Sequence, residues 1–373
     1  MRLLILVIQL PRPAKTITGF TDHQLTCHQT SIMEGATRLD NPSLSDYNHG
    51  PIDVARGAEL HIKTVQLLDS FQDTGDRSEL EKAINSGKLS LRNTPNDDPD
   101  LTRRRVDLGI CLGVRFNITE NICDINEAIR IGYQALKDVP ERHDDRALVL
   151  QYLCCKIGDK FKHTGNLEDA YEAIKFGKLA IHPTLNHHGR YAEMLSDLSA
   201  CYGDLFGSTG DLHDSREAIR LQQLAVDTLG TEHAQRGLAL YDLGLRFRYQ
   251  YTTTQNLEDL KQAIRAGQSA LDENFEADYS SHTDYLFHLA ECLRYRYERE
   301  MDIKDLEKAI QLGNSGLALS HPHNIEQAKF HQNLCLCFQD RFKKQKYQTT
   351  SNKLLITARK HWIWLRRLRI VES

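Results

Sequence analysis

The sequence is 373 residues long and holds no C-x-x-C pair, only 22 Gly and 9 Pro, and no apolar run long enough to span a bilayer. The first absence removes the spacing that puts two thiolates on one metal or one redox turn. Low Gly and Pro, with 26% charged and 40% apolar residues, argue against collagen-like, disordered and membrane-embedded chains. A formal net charge of -4 gives no overall pull towards nucleic acid. No G-x-x-x-x-G-K-[ST], G-x-S-x-G, H-E-x-x-H or G-x-G-x-x-G occurs, so no constellation with a stated mechanism is present. The chain reads as non-enzymatic, with neither cofactor nor metal.

Nine cysteines is an odd number. Most fall inside helical apolar patterns: Cys111, Cys201, Cys292 and Cys337 share one phase, and Cys154 and Cys335 stand two residues earlier. They read as small core residues in a reducing cytoplasm. The apolar run Leu3–Ile8 imitates a short signal-peptide core, but no small-residue cleavage site follows it. Residues 1–50 have no repeat phase and read as an irregular leader.

What is present is a repeat. Ala-Ile pairs recur at Ala83-Ile84, Ala128-Ile129, Ala173-Ile174, Ala218-Ile219, Ala263-Ile264 and Ala309-Ile310, in steps of 45 or 46 residues. From the second copy on, an aliphatic residue stands seven before the Ile, and another follows seven after it, as Ile122, Leu167 and Leu212 do before and Leu136, Ile181 and Val226 after. Eight residues before each Ile stands Asp76, Asn121, Asn166, Asp211, Asn256 or Asp302, and three residues later an acid, the pattern of a reciprocal N-cap. Gly75, Gly165 and Gly210 precede three of these caps, where a left-handed residue ends the preceding helix.

That preceding helix carries Leu108, Leu153, Leu198, Leu243 or Leu289, then a small residue, then an aromatic at Phe116, Phe161, Phe206, Tyr251 or Tyr297. Phe71 and Phe342 share the aromatic phase in the end units. Each unit is therefore predicted to be a helix of roughly 18 residues, a tight turn and a second of roughly 15, an αα-hairpin. A single hairpin cannot bury both stripes, so copies must stack into an all-α, right-handed superhelical solenoid. The array is predicted over 51–345, and 346–373 as a basic amphipathic helix or a degenerate capping repeat.

The helix pattern Ala173-x3-Gly177-x2-Ala180, with equivalents at Ala128/Gly132/Ala135 and Ala263/Gly267/Ala270, resembles the second helix of tetratricopeptide (TPR) repeats. The segment Thr164–Ile174 is similar to repeats of fungal TPR arrays that accompany caspase-like CHAT domains. The resemblance implies a scaffold that holds a partner's peptide or helix in its groove. The alternative is a regulatory or sensor arm of a CHAT-type or NTPase signalling protein whose effector lies outside this chain. No segment supplies a protease-sized α/β domain, so proteolysis is not implied.

Arg248-Tyr249 and Arg294-Tyr295 share one repeat phase, with Arg246, Arg296 and Arg341 nearby. On neighbouring first helices they should form an Arg/Tyr groove able to bind carboxylates or phosphates and supply cation–π contacts. Residues 341–373 carry ten Lys/Arg and one acid, which makes contact with a membrane surface a further expectation for the tail. His143, His188 and His233 recur at 45-residue intervals, too far apart on stacked units for one Zn²⁺. They are expected to open the first helices through loop hydrogen bonds.

Overall fold

The computed structural model describes residues 52–344, apart from 142, 144, 184–188, 232, 274–278 and 321–326, and for 279–281 the backbone alone. Calls on the leader, the tail and His188 lie outside the described residues. Described residues form helices joined by turns and irregular links, and no strand occurs among them.

The helices are α1 (Val54–Thr74), α2 (Arg77–Arg92), α3 (Leu101–Thr119), α4 (Ile122–Asp138), α5 (Arg146–Thr164), α6 (Leu167–Ala180), α7 (Tyr191–Thr209), α8 (Leu212–Thr228), α9 (Arg236–Thr254), α10 (Leu257–Asp272), α11 (Tyr279–Glu300) and α12 (Ile303–Leu319). A further helix, α13, spans 327–344. The chain divides into two compact units at Gly165. Within the first, α1–α2 and α3–α4 are hairpins, and α2–α3 and α4–α5 pack in turn. Within the second, α7–α8, α9–α10 and α11–α12 are hairpins, linked by α6–α7, α8–α9 and α10–α11. Each unit is an all-α repeat array.

The predicted repeat positions lie in the core. Leu108, Leu153, Leu198, Leu243 and Leu289 are all buried, as are the aromatics from Phe116 to Tyr297 and the Ala of all six Ala-Ile pairs. Leu80, Ala83, Ile84, Leu108, Cys111 and Leu112 make one cluster in the first unit; Leu289, Leu293, Tyr297, Leu306 and Ala309 make its counterpart in the second. The aliphatic seven residues before the Ile is a marginal member of the stripe, with Leu167 40% exposed. At the end of the array two expectations fail: Cys335 and Phe342 are exposed, not core.

All six Asx residues are N-caps, each accepting from the amide two residues on, as Asp211 does from His213 at 2.9 Å. The expected reciprocal bond from the acid takes another form. In four copies the cap's own amide donates to a Thr hydroxyl two residues earlier: Thr74, Thr119, Thr209 and Thr254. A hydroxyl on the last turn of one helix thus satisfies the first amide of the next, and the acids are released for other partners.

Gly75, Gly165 and Gly210 have φ near 70° and end their helices in the left-handed conformation. Glu120, Gln255 and Met301 occupy the same phase at φ 55–59°, a strain that L side chains seldom accept.

Small residues in first helices are matched to large ones in the next. Tyr152 on α5 lies where a Cβ on Gly109 would come within 1.9 Å of its oxygen, and its hydroxyl donates to the Ala128 carbonyl at 2.8 Å. His288 on α11, at the same phase as Tyr152, fits against Gly244 and Gly267 in the second unit. Where Ser199 replaces glycine, its hydroxyl donates back to Ala218 at 2.8 Å.

Candidate functional site

Six of the seven predicted Arg/Tyr residues lie in the second unit on α9 and α11, which are in direct contact, and Arg341 lies on α13. The phase that sets Leu243 and Leu289 in the core places Arg248 and Arg294 at the edge of the first-helix face. Arg248 pairs across the helices with Glu291, both side chains largely buried, and its guanidinium sits 5.2 Å from the Tyr249 ring. Arg294 pairs one turn along with Glu298 and lies 4.8 Å from the Tyr295 ring. Tyr295 packs 6.1 Å from Tyr251, the buried core aromatic of α9. Tyr249 stands out of this strip at 43% exposed, and Glu298 has a side chain 45% exposed.

Three of the predicted residues belong elsewhere. Arg296 forms a two-pronged ion pair with Asp305 at 2.7 and 2.5 Å, tying α11 to the first turn of α12. Arg115 and Asp124 repeat that clamp in the first unit at 2.8 and 2.6 Å. Arg246 turns to α7, where a Cβ on Gly203 would lie 2.2 Å from its Nη1, and one turn before it burial raises the Asp242 carboxyl, an effect Arg246 offsets only in part. Arg341 covers the ring of Phe338 on α13 at 4.9 Å.

Reading the sequence alone, Glu291 and Glu298 are missed, although they turn a cationic groove into a mixed strip of paired charges and phenols. Their signal is weak, because an acid on a helix is usually a solvated one. The Arg115–Asp124 and Arg296–Asp305 clamps had a clearer sign: Arg and acid nine residues apart across the hairpin turn, in two copies at one phase.

The two described loop histidines, His143 and His233, behave as expected. His143 accepts from the Asp145 amide at 3.1 Å and His233 from the Gln235 amide at 3.2 Å, opening α5 and α9. No group of His, Cys, Asp and Glu able to hold a metal occurs among the described residues. Among the described residues, His288 and Cys292 bring an imidazole and a thiol together, Nε2 to Sγ 3.6 Å, and both are fully buried. Burial pushes the imidazole down to about 3 and the thiol up to about 12, so each is neutral. An activated Cys/His pair needs the opposite shifts. An open cleft of about 590 Å³ also lies on α8 and α9, with Arg216, Arg220, Leu224 and Phe247 in its lining. Its Arg220 is bound to Glu217 at 2.9 Å and largely exposed.

No family model matches the chain. No curated protein matches it either. Among solved structures it is similar to a de novo designed helical repeat protein, DHR64, at 12% identity, covering 79% of this chain and 97% of that one with a TM-score of 0.14. It is also similar to a structure titled DHF119 filament, at 12% identity, covering 78% and 96%, with a TM-score of 0.12. At such scores the fold rests on the helices described above. No helix among the described residues is long and apolar enough to cross a membrane.

Proposed function

We propose that the chain is a non-catalytic, TPR-type interaction scaffold, and that the α9–α11 strip receives a peptide or helix of a partner protein. One observation carries this reading: exposed Tyr249 stands beside Arg248, which the ion pair with Glu291 already holds in place. Binding hot spots favour Tyr and Arg, and side chains fixed beforehand lose less freedom on association. Glu298, with a half-exposed side chain, leaves the largely buried Arg294 approachable from one side, where a partner carboxylate would compete for the same guanidinium. The sealed His288–Cys292 pair supports a non-catalytic role. None of the described cysteines is in a disulfide, which fits a reducing compartment such as the cytoplasm.

The test is affinity capture from extract of the source organism with three baits: the parent chain, Tyr249→Ala, and Tyr171→Ala as a control for a still more exposed aromatic on α6. The proposal expects bound proteins to be lost with Tyr249→Ala and kept with Tyr171→Ala. Equal recovery on all three baits rejects the strip.

A further inference from the structure

On α11, Ala290, Leu293 and Tyr297 lie on one stripe, all at most 3% exposed, and join Leu306 and Ala309 of α12 in one cluster. The second helix of the hairpin covers the stripe of the first. Forty-five residues on, the same stripe of α13 is Cys335, Phe338 and Phe342. There Cys335 is exposed, Phe338 is 42% exposed and Phe342 is 68% exposed, while Leu334 and Cys337 at adjoining phases are buried against the array. The side of α13 that faces the preceding hairpin is thus packed, and the side where a second helix belongs is bare.

The residues that directly follow α13 carry the pattern of such a helix. Leu355 stands one period after Ile310, and Leu354, Ala358, Trp362 and Leu365 recur at helical spacing, with Arg359, Lys360, Arg366 and Arg367 between and after them. We propose that residues 345–373 seat this amphipathic stripe on Cys335, Phe338 and Phe342, as the second helix of a seventh, capping hairpin. This proposal is independent of the partner strip.

The two tryptophans, Trp362 and Trp364, both lie in that segment, so fluorescence excited beyond the tyrosine absorption band reports on it alone. In the full chain at low concentration, acrylamide is expected to leave a weakly quenched fraction of the emission, that of Trp362 on the stripe. Phe342→Asp, or Leu355→Asp as an independent variant, should raise the quenching constant several-fold and red-shift the emission, with far-UV circular dichroism retaining the helices of the array. In the same variants, maleimide labelling of Cys335 should accelerate several-fold relative to exposed Cys123 in the first unit. Equal quenching in parent and variants overturns the proposal. So does protection that appears only as light scattering reports a dimer, which would make the occupant a second copy, or only on adding anionic vesicles, which would make it a lipid surface.

Discussion

A single buried leucine and a single buried carboxylate carry opposite lessons about these residues. Leu198 is 1% exposed between α7 and its neighbours, so Leu198→Ala should cost about 2–5 kcal/mol of unfolding free energy. An unchanged melting curve would contradict the repeat phase. Burial pushes the Asp242 carboxyl from 3.8 up to about 6, with Arg246 pulling it down and Asp197 pushing it up. A carboxyl that binds its proton more tightly when folded lets stability fall as pH rises across that window. At roughly 1.4 kcal/mol per pKa unit the loss is at most about 3 kcal/mol. Asp242→Asn should therefore be more stable than the parent at neutral pH, with the advantage shrinking towards pH 4. Urea unfolding at a series of pH values measures that difference, and a flat difference contradicts it. His288, held down at about 3, destabilises the fold as pH falls below its ordinary 6.5, but it does so in both chains and cancels. Arg248→Glu, harmless if the arginine were merely solvated, places a second carboxylate beside the largely buried Glu291 and should cost several kcal/mol. That is why Tyr249, not Arg248, is the residue with which to probe the strip.

At the scale of the helix, most of the structure was legible because a period of 45 repeats every local signal six times. Caps, left-handed ends and core stripe all follow from short-range sterics and hydrogen bonds, which sequence states directly. The same cap analysis predicts how the ends respond. Gln255→Gly, at φ 55°, should gain roughly 0.5–1 kcal/mol, whereas Gly210→Ala, at φ 73°, should lose at least as much. Asp211→Ala removes the acceptor for His213 and should cost about 1 kcal/mol. Thermal unfolding of the three variants checks the set, and a Gln255→Gly variant less stable than its parent would refute the strain. The Thr hydroxyl that replaces the expected acid at the cap amide is visible in sequence as Thr74, Thr119, Thr209 and Thr254, yet propensity rules do not single it out. The candidate site was legible only in part: Arg248 and Arg294 were placed by phase, but their pairing depends on Glu291 and Glu298, and only packed helices show which acid reaches which arginine.

At the scale of each unit, the helix contacts among the described residues run between helices one or two places apart along the chain. Stability in such an array is a sum of local terms, so damage stays near its source. Hydrogen exchange of Leu198→Ala should rise most in α6–α9 and least in α12, and a uniform rise across the second unit would show a single cooperative block instead. The nesting of Tyr152 on Gly109, and of His288 on Gly244, adds a condition that the period alone hides. Each joint is individually keyed, so the modules are not interchangeable parts. Excising one 45-residue block would bring a bulky ring against a side chain that has not made way for it, or leave a glycine hollow with nothing to fill it. Length variation in proteins of this design is therefore expected to proceed by paired changes on both sides of a junction.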